Sequence, residues 1–513
     1  MSEAGRALDR GGWAARRSRD LWPFLTGILL TGAQAPVSLW PALLIGTGLL
    51  YWLLTLAQTA RRAAWIGWWA GTGYFASGLF WIAEAFFVDI ARHGWMAPFA
   101  ILFLSTGLAL FWGLAGWLFA RARPAGWGAP LMFAGAWTFV ELLRTYVLTG
   151  FPWNLLAYGW LETAVAQVSG MIGPHALGFV TLFFAAMLVR ALEHRAVGVG
   201  IATIAVAAVP TVWALGQTAT TPTSELDAPT VRVVQPNAPQ HLKWTADGMR
   251  EQYLNGLRAT VDEGGADITI WPETSVPMFI GEPEIAYGGG LYRWQDIAAA
   301  SENRPAIIGT RRRDGQRYYN SLAVVGPGGA LVAQYDKHHL VPFGEYLPFA
   351  DLLARWGLFG LASGGVGYSA GPGPRVVSAD GVPPFLPLIC YEAIFPHRMD
   401  APGDRPRWIV HITNDAWFGN SAGPYQHLAQ ARFRAIETGL PVVRAANTGI
   451  SAIIDAYGRV LEFVPLGTTG YAQDRLPPRG PEPLYARTGD TPLMVFLAVL
   501  GLISLVITKR KQA

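Results

Sequence analysis

Leu386-Pro387-Leu388-Ile389-Cys390-Tyr391-Glu392 decides how the chain is read, because it holds the only cysteine among 513 residues and seats it where an apolar run ends. The run from Pro384 to Ile389 is too short for a helix and predicts a buried strand. Cys390 then stands at a strand end, the place where layered α/β domains build active sites. A lone cysteine is ordinarily a small buried hydrophobe. Only its surroundings argue otherwise.

On either side of this strand, from Thr218 to about residue 490, charges, prolines and glycines are those of a normal globular domain. After a Thr/Pro-rich linker (Thr218 to Pro229), strands are expected at 231–235, 267–271, 306–310, 322–325, 331–335, 408–413, 442–446 and 451–454, and helices at 291–302 and 424–437. That alternation predicts an α/β layered domain, and turn signals such as Gly326-Pro327-Gly328-Gly329 predict some antiparallel pairing. About 270 residues suffice for one large core.

The flanks are different. With 52% hydrophobic and 14% charged residues and 22 Trp, the chain is too apolar for an ordinary soluble protein. The excess lies in residues 21–217 and 491–508. A bilayer core of about 30 Å needs roughly 17 to 25 apolar residues per helix. Spans are expected near 21–35, 37–57, 63–83, 96–120, 128–148, 174–192, 197–216 and 491–508, the first pair being short or re-entrant around Gly32, Gln34 and Pro36. Gly67-xxx-Gly71 is a candidate site of close helix approach. The expected organisation is therefore a membrane domain over 1–217 of about seven helices, a soluble domain over 218–490, and a closing membrane helix and tail over 491–513.

Basic clusters give the orientation. They fall at Arg6 to Arg19, Arg61 and Arg62, Arg121 and Arg123, Arg190 and Arg195, and Lys509 to Lys511. These are both termini and every second connection, so both termini are expected in the cytoplasm and the large domain on the other side. No cleavable signal peptide is expected, since further spans follow at once. The net charge of +4 is too small to suggest nucleic acid.

Three short motifs put chemistry at strand ends. Trp271-Pro272-Glu273 ends one strand in a carboxylate, Lys337 follows another within Asp336-Lys337-His338-His339-Leu340-Val341-Pro342-Phe343-Gly344-Glu345, and Cys390 ends a third. A thiol becomes a useful nucleophile when a base takes its proton and a cation balances the charge. Glu273 is the candidate base and Lys337 the candidate oxyanion stabiliser. Singly, each is as well explained as a turn residue or a surface ion pair. Together and in this order they are far more specific. His338 and His339 are adjacent, and His411 and His427 lack ligand-like spacing, so no metal is expected. No phosphate-binding loop or dinucleotide fingerprint is present, so no cofactor is expected.

The motifs Trp-Pro-Glu, Lys-xxxxx-Phe-Gly-Glu and Cys-Tyr-Glu resemble those of the nitrilase superfamily, whose Glu-Lys-Cys triad sits in an αββα sandwich. With the membrane flanks, the chain is similar to that superfamily's membrane-embedded branch, the apolipoprotein N-acyltransferases of Gram-negative bacteria. Further matches are Gln235-Pro236-Asn237 leading to Trp244, Asn414-Asp415-Ala416-Trp417-Phe418-Gly419, Arg434-Ala435-xx-Glu437, Asn447-xx-Gly449-Ile450 and Tyr485 to Gly489. The resemblance implies acyl transfer from a glycerophospholipid to the α-amino group of the S-diacylglyceryl cysteine of an apolipoprotein, through a thioester on Cys390, in the inner membrane with the catalytic domain in the periplasm. By the same resemblance Glu273 is the base, Lys337 and the Tyr391 backbone N–H hold the oxyanion, and Glu345 orients Lys337. Trp244, Tyr391, Glu392, Trp417 and Phe418 line the substrate pocket. The partners implied are membrane lipids and the lipoprotein, with the enzyme a monomer. One unpaired cysteine outside the cytoplasmic membrane fits a reactive thiol.

The apolar segment from Leu347 to Leu361 is expected to be either a lid that dips into lipid or a helix packed on the core. Two other functions compete. A membrane-tethered amidase or nitrilase would release ammonia from small amides, and a non-catalytic membrane receptor would not need Glu273, Lys337 and Cys390 together.

Overall fold

The computed structural model describes residues 20–122, 126–219, 227–262, 264–348 and 367–510. The chain divides into two compact units, one of Met1–Ala219 with Thr488–Ala513 and one of Thr220–Arg487. The expected lid segment lies, beyond Pro348, outside the described residues.

In the first unit the principal helices are α1 (Asp20–Thr31), α2 (Trp40–Thr55), α3 (Ala60–Gly78), α4 (Ala97–Ala122), α5 (Ala129–Tyr146), α6 (Ser169–Glu193), α7 (Val197–Ala219) and α11 (Thr491–Arg510). A helix thus lies at each expected span position. Three helical stretches, Ile90–Ala122, Ala164–Glu193 and Val197–Gln217, are long and apolar enough by themselves to cross a membrane, while Asp20–Thr31, Trp40–Thr55 and Thr491–Val506 are shorter apolar helices of 10–17 residues. Close approach of α3 and α4 is made possible by missing side chains. A Cβ on Gly67 would lie 2.2 Å from the Trp112 carbonyl oxygen, and one on Gly116 would lie 2.3 Å from that of Ala63. Small residues at such a crossing let backbones touch where hydrophobic driving force between helices is weak.

Several charged groups inside this unit are paired. Glu141 accepts from Trp112 Nε1 at 3.0 Å and pairs with Arg144 at 2.5 Å, while Arg144 also donates to the carbonyls of Phe151 and Trp153. Near the start of α11, Asp490 accepts from Tyr146 at 2.9 Å and lies 3.1 Å from His175 Nδ1. Unmatched, such groups would be costly in an apolar surrounding.

The second unit is built on two sheets. Its strands are β1 (Thr230–Gln235), β2 (Ile268–Ile270), β3 (Phe279–Ile280), β4 (Glu284–Tyr287), β5 (Gly290–Arg293), β6 (Ala306–Asp314), β7 (Arg317–Val325), β8 (Leu331–Asp336), β9 (Val377–Ala379), β10 (Val382–Ile389), β11 (Trp408–Thr413), β12 (Val442–Ala446), β13 (Ser451–Ile454), β14 (Val460–Val464) and β15 (Gly470–Arg475). One sheet runs β15-β1-β2-β6-β7-β8 with β3 beside β6, the other β14-β13-β12-β11-β10-β9, and β4 and β5 form a separate hairpin. Helices α8 (Ala246–Val261), α9 (Trp294–Ala300) and α10 (Ala422–Thr438) complete the layers.

Strand periodicity of two sorts the side chains. Val231, Val233, Ile268 and Ile270 of the first sheet and Phe385, Ile389, Trp408, Val410 and Ile412 of the second fill a shared core. The alternate residues face outward. Val234 and Ile308 meet Met249, Tyr253, Trp294 and Ile297 of α8 and α9, and Leu386, Leu388, Ile409 and Val442 meet Ala431 and Ala435 of α10. Helix, sheet, sheet and helix therefore stack in that order, the αββα sandwich. Because both faces of β10 are covered, its sequence is apolar throughout, as parallel central strands are.

The expected helix over 291–302 needs correction. Gly288 and Gly289 both have positive φ, 55° and 77°, which makes a tight hairpin turn and commits 290–293 to β5 before α9 begins. Helix α8, capped by Thr245 accepting from the Gly248 N–H at 3.1 Å, and strands β9, β14 and β15 are further additions.

Candidate active site

Cys390 follows the last residue of β10 with φ at 51°, a left-handed conformation that costs a non-glycine residue roughly 1–3 kcal/mol unless its surroundings hold it. They do so from behind. The Nε2 atoms of His411 and His427 each lie 3.3 Å from the Cys390 carbonyl oxygen. His411 Nδ1 accepts from Arg444 at 2.9 Å, which leaves its Nε2–H to donate to that carbonyl. His427 faces two acceptors, the carbonyl and Asp415 at 2.9 Å, and Asp415 also accepts from Thr413 at 2.9 Å and pairs with Arg444 at 2.5 Å. All four residues are fully buried. Burial, and then the Arg444 charge, lower the pKa of both imidazoles, His411's well below its ordinary value. The Asp415 carboxyl is held down to about 2, Arg444 and His427 outweighing its burial.

Glu273 comes from the opposite sheet, three residues past β2. Its Oε1 accepts from Asn320 Nδ2 at 2.6 Å and its Oε2 from the Asn414 backbone N–H at 2.8 Å. Asn414 directly follows β11, which is the parallel neighbour of β10, so this carboxylate reaches the strand end beside the nucleophile. Close approach of β6 is part of the arrangement, for a Cβ on Gly309 would fall 2.6 Å from the Glu273 Cα.

Lys337, one residue past β8, is buried and lies 2.8 Å from Glu345 Oε2 and 3.7 Å from Glu273 Oε1. Glu345 also accepts from the Val341 N–H at 2.8 Å and from Asn320 at 2.8 Å. Asn320 thus gives one amide hydrogen to each carboxylate, and its Oδ1 is buried without a partner among the described residues. Burial opposes the Lys337 charge, but Glu345 and Glu273 more than offset it and push the pKa up. Lys337 remains an ammonium. For Cys390 the balance goes the other way. Burial and then the Glu273 charge push its thiol up, against Lys337 and a hydrogen bond with Thr413. The resting sulfur therefore keeps its proton, and a base is needed to make the nucleophile on demand.

The remaining expected site residues differ in placement. Tyr391 stacks on His339 with centroids 5.7 Å apart. Glu392 is fully buried. It accepts from the backbone N–H groups of Ile389, His338 and His339 and from the Tyr335 hydroxyl at 2.8 to 3.2 Å. Those bonds tie the end of β10 to the loop carrying Lys337, so both Glu392 oxygens are engaged within the protein. Trp417 is exposed, and Phe418 packs on His427 at 5.5 Å. The Trp244 ring lies against Arg311.

Asn320 and Lys243 are additions that no motif announced. Lys243 is fully buried and donates to the Glu273 carbonyl at 3.1 Å and to Thr274 Oγ1 at 2.9 Å. Burial, its largest influence, lowers its pKa to about 7 against the pull of Glu273. An unfolded lysine keeps its proton to about pH 10.4. Between about pH 7 and 10 the unfolded chain thus holds more protons, and on this account stability rises with pH. Lys243→Met is expected to flatten that rise. Melting temperatures at pH 7 and pH 9 in one detergent measure it, and a gap equal to the parent's counts against it.

The two units match known families. Residues 26–187 match the apolipoprotein N-acyltransferase N-terminal domain and residues 230–478 the carbon-nitrogen hydrolase family. A CN-hydrolase superfamily protein from Xanthomonas campestris, 20% identical over 49% of this chain and 91% of its own, superposes with a TM-score of 0.36. The apolipoprotein N-acyltransferase of Rhodopseudomonas palustris is 37% identical over 96% of this chain and 95% of its own length. That of Caulobacter vibrioides is 37% identical over 94% and 93%. With identity at that level over nearly the whole length, and a carboxylate, an ammonium and a thiol gathered between two sheets, the chain belongs to the apolipoprotein N-acyltransferase family.

Proposed function

We propose that this inner-membrane acyltransferase moves a fatty acyl chain from a glycerophospholipid to the α-amino group of the N-terminal S-diacylglyceryl cysteine of apolipoproteins, with Cys390 as the covalent carrier. Glu273 takes the thiol proton as Sγ attacks the ester carbonyl carbon. The negative oxygen of the tetrahedral intermediate is balanced by the Lys337 ammonium and the Tyr391 backbone N–H. Collapse breaks the C–O bond to glycerol, Glu273 returns the proton to the leaving oxygen, and a lysophospholipid departs from a thioester. The lipoprotein amine then attacks the same carbon, Glu273 accepts its proton, and collapse returns it to the sulfur. Glu345 holds Lys337 in place. Trp244 and Tyr391 line the cavity, with Trp417 and Phe418 at its border.

The observation that carries this reading is the cross-sheet carboxylate. Glu273 is bonded at once to Asn414 beside the nucleophile's strand and to Asn320 on the cation's side. We further place both termini in the cytoplasm and the sheet unit in the periplasm, on the strength of the basic clusters. Ester carbonyls of lipids lie at the bilayer interface, which is where a membrane-held catalyst meets them.

The test is the mass of the intact protein after exposure to dioleoyl phosphatidylethanolamine micelles, followed by a diacylglyceryl peptide. Expected is the gain of one oleoyl group on Cys390 that the peptide then removes. Absence of any adduct, with ammonia released from small amides instead, would overturn the proposal.

A further inference from the structure

Arg311 is a half-buried cation with no carboxylate in contact among the described residues. It sits in β6, two residues beyond Gly309 and so on the same strand face, and Gly309 is the residue pressed against Glu273. In the antiparallel ladder it lies directly opposite Asn320, the residue whose amide bridges Glu273 and Glu345. Side chains opposite one another on a sheet are neighbours, with Cβ atoms about 5 Å apart. Arg311 therefore flanks the catalytic carboxylates, displaced from Glu273 by roughly 7 Å along the strand.

Its surroundings are aromatic. The guanidinium lies 4.5 Å from the Trp244 ring and 4.4 Å from the Phe279 ring. One nitrogen, Nη2, donates to the Pro277 carbonyl at 3.2 Å, and Nε is buried with no partner among the described residues. Burial is the largest influence on its charge and lowers the pKa, against Tyr368, Tyr287, Tyr318 and Glu282. By contrast Arg312, the next residue, is paired with Asp336 at 3.0 Å. A guanidinium close to two rings, with a single hydrogen bond to the described residues through Nη2, is arranged to receive an anion.

The anion follows from the reaction, so this inference rests on the proposed function. A glycerophospholipid carries its phosphodiester one glycerol unit away from the ester being cleaved, a span of the order of the offset between Arg311 and Glu273. We propose that Arg311 is the phosphate-binding residue of the acyl donor, and that Trp244 and Phe279 hold its guanidinium in position for that contact. It acts on the first half-reaction only, since the acceptor presents an amine.

Kinetics of thioester formation separate this role from a structural one. Charge-assisted hydrogen bonds are worth a factor of roughly 10 to 100. Arg311→Gln is expected to raise KM for dioleoyl phosphatidylethanolamine by about that factor while kcat stays near the parent value, and Arg311→Lys recovers part of the loss. With dioleoylglycerol, the same esters without phosphate, the parent already shows the raised KM and Arg311→Gln adds nothing. Transfer from preformed acyl-Cys390 to the peptide is unchanged in the variant, which also controls for folding. An Arg311→Gln enzyme with parental KM for the phospholipid, or one equally impaired on both donors, overturns the assignment. A parent that takes no acyl group from any phospholipid defeats the underlying function as well.

Discussion

Cys390→Ala is expected to leave no acyl adduct after exposure to phospholipid and no transfer to the peptide, although the protein remains folded. With the sulfur as the proposed carrier of the acyl group between substrates, both half-reactions vanish together; loss of a triad nucleophile typically costs on the order of 10⁴-fold or more. Folding survives because the change removes one small atom from a buried site. The polar groups that hold the strand end, His411 and His427 at the Cys390 carbonyl, bind the backbone and do not need the thiol. Melting temperature within a few degrees of the parent, with the intact mass unshifted by lipid, is the expected pair of readings. Residual transfer above a few per cent would mean that acyl exchange bypasses the cysteine.

Glu273→Gln is expected to slow each half-reaction by on the order of 10²–10⁴, the usual worth of a general base. The geometry makes the substitution harsher than a loss of charge. Both carboxylate oxygens accept, one from Asn320 Nδ2 and one from the Asn414 N–H. A glutamine must turn its own NH₂ toward one of these donors, leaving a buried group unpaired at a cost of about 1–3 kcal/mol. Lys337 would keep only Glu345 as its counter-charge. Single-turnover rates of thioester formation and of transfer to the peptide, measured separately, give the test. A variant slowed in one step alone would restrict the base to that step.

The parts of this site that were legible in the sequence are those announced by a strand end. Glu273, Lys337 and Cys390 each close a short apolar run, and a run of that kind marks its own boundary. What was hidden lies inside elements or across layers. Asn320 stands in the middle of β7, where nothing local distinguishes it from a poor strand former, and its role arises only when β2 and the loop after β8 bring two carboxylates to it. Lys243 is read as a solvated lysine until its burial is known. The group formed by His411, Asp415, His427 and Arg444 draws on two strands, a turn and a helix. Spacing along the chain, the test applied to His411 and His427, misses contacts made through a sheet and the helix covering it. The hairpin β4–β5 is hidden for a related reason, because the apolar residues after it suggest a longer helix than the two preceding glycines allow.

The grip on the Cys390 carbonyl comes from His411 and His427, which bind the backbone and leave the thiol to the other side. The sulfur's aim is thereby set by the protein interior before any lipid arrives, and attaching an acyl chain to it does not disturb the groups that set it. Free and acylated enzyme can then share one backbone, so successive donors and acceptors meet the same reactive centre without an intervening rearrangement there.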